Sequence, residues 1–216
     1  MDRGLFIVLE GLDCCGKDTQ AELLLGDFKR KGYYGCIQND PRYLSPIGKC
    51  YSDMLGDMER ETNHNVWLPL ALAARVDGLY KPGGTLYLLE NGMNVIQTRF
   101  NMSGLVYGTT VENKHFSEEA FHYINTIIVP DLTIYIDISP GEAIARLTRR
   151  EGKQMDHYEN FASITKAYQN YQSLIEEVEK EPLYDEKFVK LDGETGVDLL
   201  HNNIIAAVED FCDIEL

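Results

Sequence analysis

A chain of 216 residues, 44% apolar and 25% charged, is long enough for one large α/β domain with a full core. Its formal charge of −15, from 20 basic and 35 acidic side chains, argues against nucleic acid as the main partner, because a polyanion requires clustered Lys and Arg, yet leaves room for a small phosphorylated ligand in a local basic pocket. No apolar run reaches the ~20 residues of a membrane span, no signal peptide opens the chain, and five cysteines without metal-like spacing read as reduced thiols, so a cytoplasmic protein without a membrane partner is expected.

Residues 5–9, Leu5-Phe6-Ile7-Val8-Leu9, predict a parallel strand buried on both faces. The strand runs into Gly11-Leu12-Asp13-Cys14-Cys15-Gly16-Lys17-Asp18-Thr19, which reads G-x-x-x-x-G-K, a phosphate-cradling P-loop. Behind it Ala21, Leu24, Leu25 and Phe28 recur at helical spacing, and Lys29, Arg30, Lys31 and Gly32 close the helix with cations and a glycine. Strand, glycine loop and helix together are the context that separates a P-loop from a chance string. In that context backbone N–H groups from Leu12 to Thr19 and the positive end of the helix face the β- and γ-phosphates of a nucleotide. Lys17 adds a point charge that follows the phosphoryl group in transfer. Asp18 stands where Ser or Thr ordinarily offers a hydroxyl to nucleotide-bound Mg²⁺. Cys14 and Cys15 are open to two interpretations: oxidation-sensitive thiols, or small residues that fit a tight turn.

Further strands are predicted over residues 35–38, 93–97, 132–138 and 187–191, with helical stretches between them. The alternation implies a mostly parallel sheet with helices on both faces. Ser139-Pro140-Gly141-Glu142 is a capping box with proline at the first helical position, followed by Ala143, Ile144 and Leu147. A long helix is predicted from about 159 to 180, where Phe161, Ile164, Tyr168, Tyr171, Ile175 and Val178 form a stripe suited to core packing. There is no internal repeat, low-complexity segment or linker, so residues 1–216 are expected to form a single domain.

Glu10-Gly11-Leu12-Asp13, Gly16-Lys17 and Thr19-Gln20 together resemble the opening of thymidylate kinases, E-G-x-D-x-x-G-K-S-T-Q. The likeness continues at Ser45-Pro46-Ile47-Gly48, at Ala73-Ala74-Arg75-Val76, and at Val95-Ile96-Gln97-Thr98-Arg99 with Ser103 and Tyr107 downstream. Pro130-Asp131-Leu132-Thr133 resembles the family's P-D-L-T strand, and Arg149-Arg150 with Asp156-His157-Tyr158-Glu159 its mobile lid. The resemblance implies a three-layer αβα P-loop kinase with a five-stranded parallel sheet and a short lid near 148–160. It implies ATP- and Mg²⁺-dependent phosphorylation of a deoxynucleoside monophosphate, dTMP by default, and a homodimer. Carried over by position, Gly11 to Thr19 hold ATP, Asp13 accepts from the acceptor's 3′-hydroxyl, Arg75 reaches its base, and Arg99 reaches its phosphate and the transferred group. Ser103 and Tyr107 fall along the acceptor. Lys17 and Arg99 are catalytic, joined by Arg149 or Arg150 from the lid, because Cys14 and Cys15 leave the loop without the catalytic arginine of some members. Plainer alternatives stand beside these: an ion-paired Arg75, a core Tyr107, and lid arginines that merely favour a helix C-terminus.

Four departures from the family pattern bear on function. Asp18 replaces the metal-binding hydroxyl, and Thr98 replaces the aspartate before Arg99. One carboxylate and one hydroxyl have changed places, which leaves two oxygen donors for a hard cation at Asp18 and Thr98. Asn39-Asp40-Pro41 replaces R-E-P, with Arg42 nearby as a candidate phosphate ligand. Ala71 replaces an aromatic that stacks on thymine, which removes stacking surface and makes room. A modified pyrimidine nucleotide or a nucleoside is therefore the alternative acceptor, and a nucleotide-binding regulator without turnover the alternative class.

Overall fold

The computed structural model describes residues 3–40, 45–57, 63–109, 114–150, 159–180 and 187–216. Its five strands are β1 (Phe6–Gly11), β2 (Gly35–Asn39), β3 (Asn94–Thr98), β4 (Leu132–Asp137) and β5 (Lys187–Asp192). They pair in the order β2-β3-β1-β4-β5, all parallel, and each overlaps its predicted run with ends shifted by at most two residues. The helices are α1 (Lys17–Arg30), α2 (Pro46–Gly56), α3 (His64–Tyr80), α4 (Thr85–Glu90), α5 (Asn101–Gly108), α6 (Lys114–Ile127), α7 (Pro140–Arg149), α8 (Phe161–Lys180) and α9 (Val197–Cys212).

The apolar run of β1 alternates between two cores, as a central parallel strand must. Ile7 and Leu9 enter a cluster with Ala21, Leu24 and Phe28 of α1, Tyr171 and Ile175 of α8, and Ile204 and Val208 of α9. Phe6 and Val8 point the other way, onto Leu79 of α3, Leu89 of α4 and Ile124 of α6. Each such fully buried side chain contributes about 1.5–3 kcal/mol, and burial on both faces fixes the register of the central strand. The three-layer α/β architecture follows from this sandwich.

The stripe on α8 packs as expected at Ile164, Tyr171 and Ile175, with Tyr168 and Val178 at its margin. Phe161 departs from it: at the first turn of the helix it is 62% exposed. At α7 the capping box forms by half. Ser139 Oγ accepts from Glu142 N at 3.3 Å, but Glu142 turns to Arg146 one helical turn on, at 2.7 Å. The Ser139 N–H is satisfied instead by Glu194, at 2.8 Å, from the connection between β5 and α9. A guanidinium four residues along competes better for a carboxylate than a neutral backbone N–H does.

Candidate active site

The loop between β1 and α1 leaves the carboxyl edge of the sheet at its centre, where open α/β sheets place ligands. Gly11 takes φ 146° with its backbone against β4. A Cβ there would lie 2.7 Å from the Ile136 carbonyl and 2.8 Å from Cys15 Sγ, so only glycine fits. Lys17 opens α1, and its Nζ is folded back to the Leu12 carbonyl at 3.2 Å. Asp18 and Thr19, in the first turn, are exposed. Cys14 and Cys15 are free thiols. Burial raises the Cys14 pKa while the Arg150 guanidinium pulls it back, so this thiol stays protonated near neutral pH and the tight-turn role suits it better than a reactive one.

Across β1, Arg99 follows β3 with φ 64°, a left-handed conformation that residues with a Cβ rarely adopt. Its Nη2 donates to Asp13 Oδ1 at 2.7 Å and to the Tyr107 hydroxyl at 3.3 Å. Its Nη1 donates to the Gly11 carbonyl at 3.1 Å and to Ser103 Oγ at 3.2 Å, and the guanidinium lies 4.8 Å from the centre of the Tyr107 ring. Burial works hardest against the Arg99 charge, but Asp13 together with Tyr107, Tyr171 and Glu10 outweighs it and holds the pKa well above the ordinary guanidinium value. Asp13, Arg99, Ser103 and Tyr107 are therefore one constellation, and burial pushes the Tyr107 phenol up so that it stays neutral.

Beneath this constellation lies Glu10, fully buried. It accepts from the backbone N–H groups of Phe100 (2.8 Å) and Ser103 (3.1 Å), from Ser103 Oγ (2.6 Å) and from the Tyr171 hydroxyl (2.9 Å). The carboxylate thus caps the start of α5 from the neighbouring strand.

Arg75 of α3 is buried and pairs with buried Asp40 just beyond β2, with Nε and Nη2 at 2.6 and 2.5 Å from one carboxylate oxygen. Burial pushes the Asp40 carboxyl up and Arg75 pulls it back. Gly104 in α5 makes room for the guanidinium, since a Cβ there would fall 2.6 Å from Arg75 Nη1. Arg75, Asp40, Asn39, Gln97 and Phe100 border a small cavity at the ends of β2 and β3. Ala71, one turn earlier on α3, is itself buried and does not border that cavity.

The two lid arginines separate. Arg150 donates to buried Glu159 at 2.6 Å and approaches Cys14 Sγ at 3.8 Å, which sets it over the loop. Burial opposes its charge, and the hydrogen bond and charge of Glu159, with Cys14 and Asp13, more than restore it. Arg149, at the last position of α7, is exposed. Arg42 and the Asp156-His157-Tyr158 segment lie outside the described residues. Asp18 and Thr98 are not joined by any hydrogen bond or ion pair among the described residues. Thr98 is buried at the end of β3, where its carbonyl accepts from Asp40 N at 3.1 Å. No cluster of three or more His, Cys, Asp or Glu suited to a metal occurs among the described residues, nor any helix long and apolar enough to cross a membrane.

Four residues of the site carry partners that sequence reasoning assigned no role: Glu10, Asp40, Arg146 and Glu159. Glu10 could have been suspected, since a carboxylate closing a two-faced buried strand must be capped or paired. Asp40 shows only as a departure from the family pattern and Arg146 only as an i,i+4 partner of Glu142; their contacts with Arg75 and with the loop carbonyls are brought in by the fold.

A glycine loop between a central parallel strand and a helix, faced at the same sheet edge by buried Arg75 and partly buried Arg99 and Arg150, defines a P-loop phosphotransferase. A model of the family described as "Thymidylate kinase" matches residues 9–204. The chain is 31% identical to a thymidylate kinase of Caldanaerobacter subterraneus subsp. tengcongensis over 215 residues, 97% of each protein. It is 29% identical to one of Thermoanaerobacter sp. over 97% of this chain and 99% of the relative, and 30% identical to a probable thymidylate kinase of Thermococcus kodakarensis over 95% and 97%. The chain belongs to the thymidylate kinase family.

Proposed function

We propose that this protein transfers the γ-phosphate of ATP to dTMP or a closely related pyrimidine deoxynucleotide, giving the diphosphate. The observation that carries the proposal is Arg99, which is bonded to both the loop carbonyl of Gly11 and the Asp13 carboxylate while packed on Tyr107. A cation fixed between a phosphate cradle and an acceptor pocket is what in-line transfer between two polyanions requires. In this proposal the amides from Leu12 to Thr19 and Lys17 hold the donor phosphates. Asp13 takes the acceptor's sugar hydroxyl, Arg75 faces its base, and Arg150, already anchored by Glu159 above the loop, completes the charge neutralisation. Arg149 is the weaker lid candidate because it is exposed. Arg42 remains a proposed acceptor-phosphate ligand by position.

The donor set fits a hard divalent cation: Asp18 offers an exposed carboxylate beside Lys17, and Thr98 a hydroxyl at the same sheet edge. Asp18 and Thr98 would hold Mg²⁺, which when bound neutralises charge on the donor phosphates. We further propose a cytoplasmic homodimer, as the family resemblance implies, with the full chain as one domain and residues 148–160 as its lid.

A panel of nucleosides and nucleoside monophosphates, 5-substituted pyrimidines included, tests this by ADP release with and without Mg²⁺. ADP is expected with dTMP and Mg²⁺ and not without the metal. Release with nucleosides alone would move the acceptor, and ATP binding with no ADP from any acceptor would make the protein a nucleotide-responsive regulator.

A further inference from the structure

A loop that turns its N–H groups inward to an anion turns carbonyls outward, and those carbonyls need partners. Two of them share one guanidinium. Arg146 Nη1 donates to the Cys14 and Cys15 carbonyls at 3.4 and 3.3 Å. Nη2 of the same side chain donates to the Gly193 carbonyl after β5 at 2.8 Å, and Nε is held by Glu142 at 2.7 Å. Arg146 therefore ties the loop, α7 and the connection into α9 together. The tie meets the loop at its least comfortable residue: Cys14 has φ 61°, left-handed, although it carries a Cβ. A hydrogen bond to its carbonyl favours the peptide orientation that this φ produces. The planar fork reaches the three carbonyls from two separate nitrogens while Nε stays with Glu142, a spread that the single nitrogen of a lysine ammonium does not offer.

We infer that Arg146 is a positioning residue that holds the loop in its phosphate-receiving shape by gripping the carbonyls of Cys14 and Cys15. The inference rests on the loop being a phosphate cradle. It makes a claim that contact with a nucleoside would not: the effect of Arg146 runs through the backbone of Cys14.

The test is calorimetric titration of the full chain with ATP and with inorganic tripolyphosphate, which has no base or sugar. The variants are Arg146→Gln, Arg146→Lys, Cys14→Gly, and Cys14→Gly combined with each Arg146 change. Arg146→Gln is expected to weaken both ligands by the same factor, about tenfold, as for the loss of charge-assisted bonds. Arg146→Lys should behave alike, and the acceptor KM should not move. In the Cys14→Gly background the loss should shrink to about twofold, because glycine takes positive φ freely. Should Arg146→Gln lose its fold, Arg146→Lys in both backgrounds gives the same ratio. A loss confined to ATP, or a loss of equal size with and without Cys14→Gly, would overturn the inference and leave the cradle standing. A wild-type chain that binds neither ligand would overturn both.

Discussion

Arg99 holds a backbone conformation that costs a residue with a Cβ about 1–2 kcal/mol, and its contacts show what holds it there. The left-handed turn takes the chain out of β3 so that the guanidinium reaches back across β1 to Gly11 and Asp13. The residue before it is Thr98, where the family carries an aspartate, and Asp18 carries a carboxylate where the family carries a hydroxyl. If these two are one exchanged pair, their effects are not additive. Asp18→Ser and Thr98→Asp should each cut Mg²⁺-dependent turnover about tenfold, and the double swap should recover most of it. Thr98 is 3% exposed, so a carboxylate placed there costs several kcal/mol unless a cation meets it. Mg²⁺ should accordingly raise the melting temperature of the Thr98→Asp variants more than that of the wild type. Single variants no worse than the double, read in the same turnover assay, would separate the two sites.

At the scale of elements, β1 and α5 are joined through one carboxylate. Glu10 takes four donors, two of them backbone N–H groups at the start of α5, the helix that carries Ser103 and Tyr107. Glu10→Gln puts an amide NH₂ among donors that need an acceptor, which should destabilise the fold by about 2–4 kcal/mol in urea unfolding and raise the acceptor KM more than the ATP KM. Much of β1 was legible in the sequence: an unbroken apolar run says parallel strand, and a glycine loop after it says phosphate. The role of Glu10 was not, since its partners stand 90, 93 and 161 positions away. The same limit hid Arg146, whose loop contacts span 132 and 131 positions. Asp40 was visible only as a departure from R-E-P, although the fold makes it the buried partner of Arg75. Periodicity reports which face of an element is buried, and it carries no information about which distant polar group will be found there. The capping box at Ser139 shows the same boundary from the other side: the local motif marked the helix start, while a distant glutamate, Glu194, took half of its hydrogen bonding.

The whole molecule divides along β1. On one side lie the loop, α7, Arg150 and the connection after β5; on the other lie the ends of β2 and β3 with Arg75, Asp40 and α5. Arg99 reaches both. In a chain of net charge −15, Lys17, Arg75, Arg99, Arg146 and Arg150 gather at this edge, four of them held in place by Asp40, Asp13, Glu142 and Glu159, which makes it the part of the protein suited to two phosphorylated ligands. The two halves should then be separable by ligand-dependent melting. A ligand at a hundred times its Kd adds about 2.7 kcal/mol, which is roughly 5–10 °C for a chain of this size. Wild type should show that shift with ATP and with dTMP. Lys17→Ala should reduce the ATP shift to about 2 °C or less and leave the dTMP shift in place. Arg75→Gln should do the reverse, and it should start from a lower melting temperature, by about 10 °C, because Asp40 is left buried without its cation. If Arg75→Gln lowered the starting temperature yet kept the full dTMP shift, Arg75 would be a structural ion pair and the base would be held elsewhere on the acceptor side.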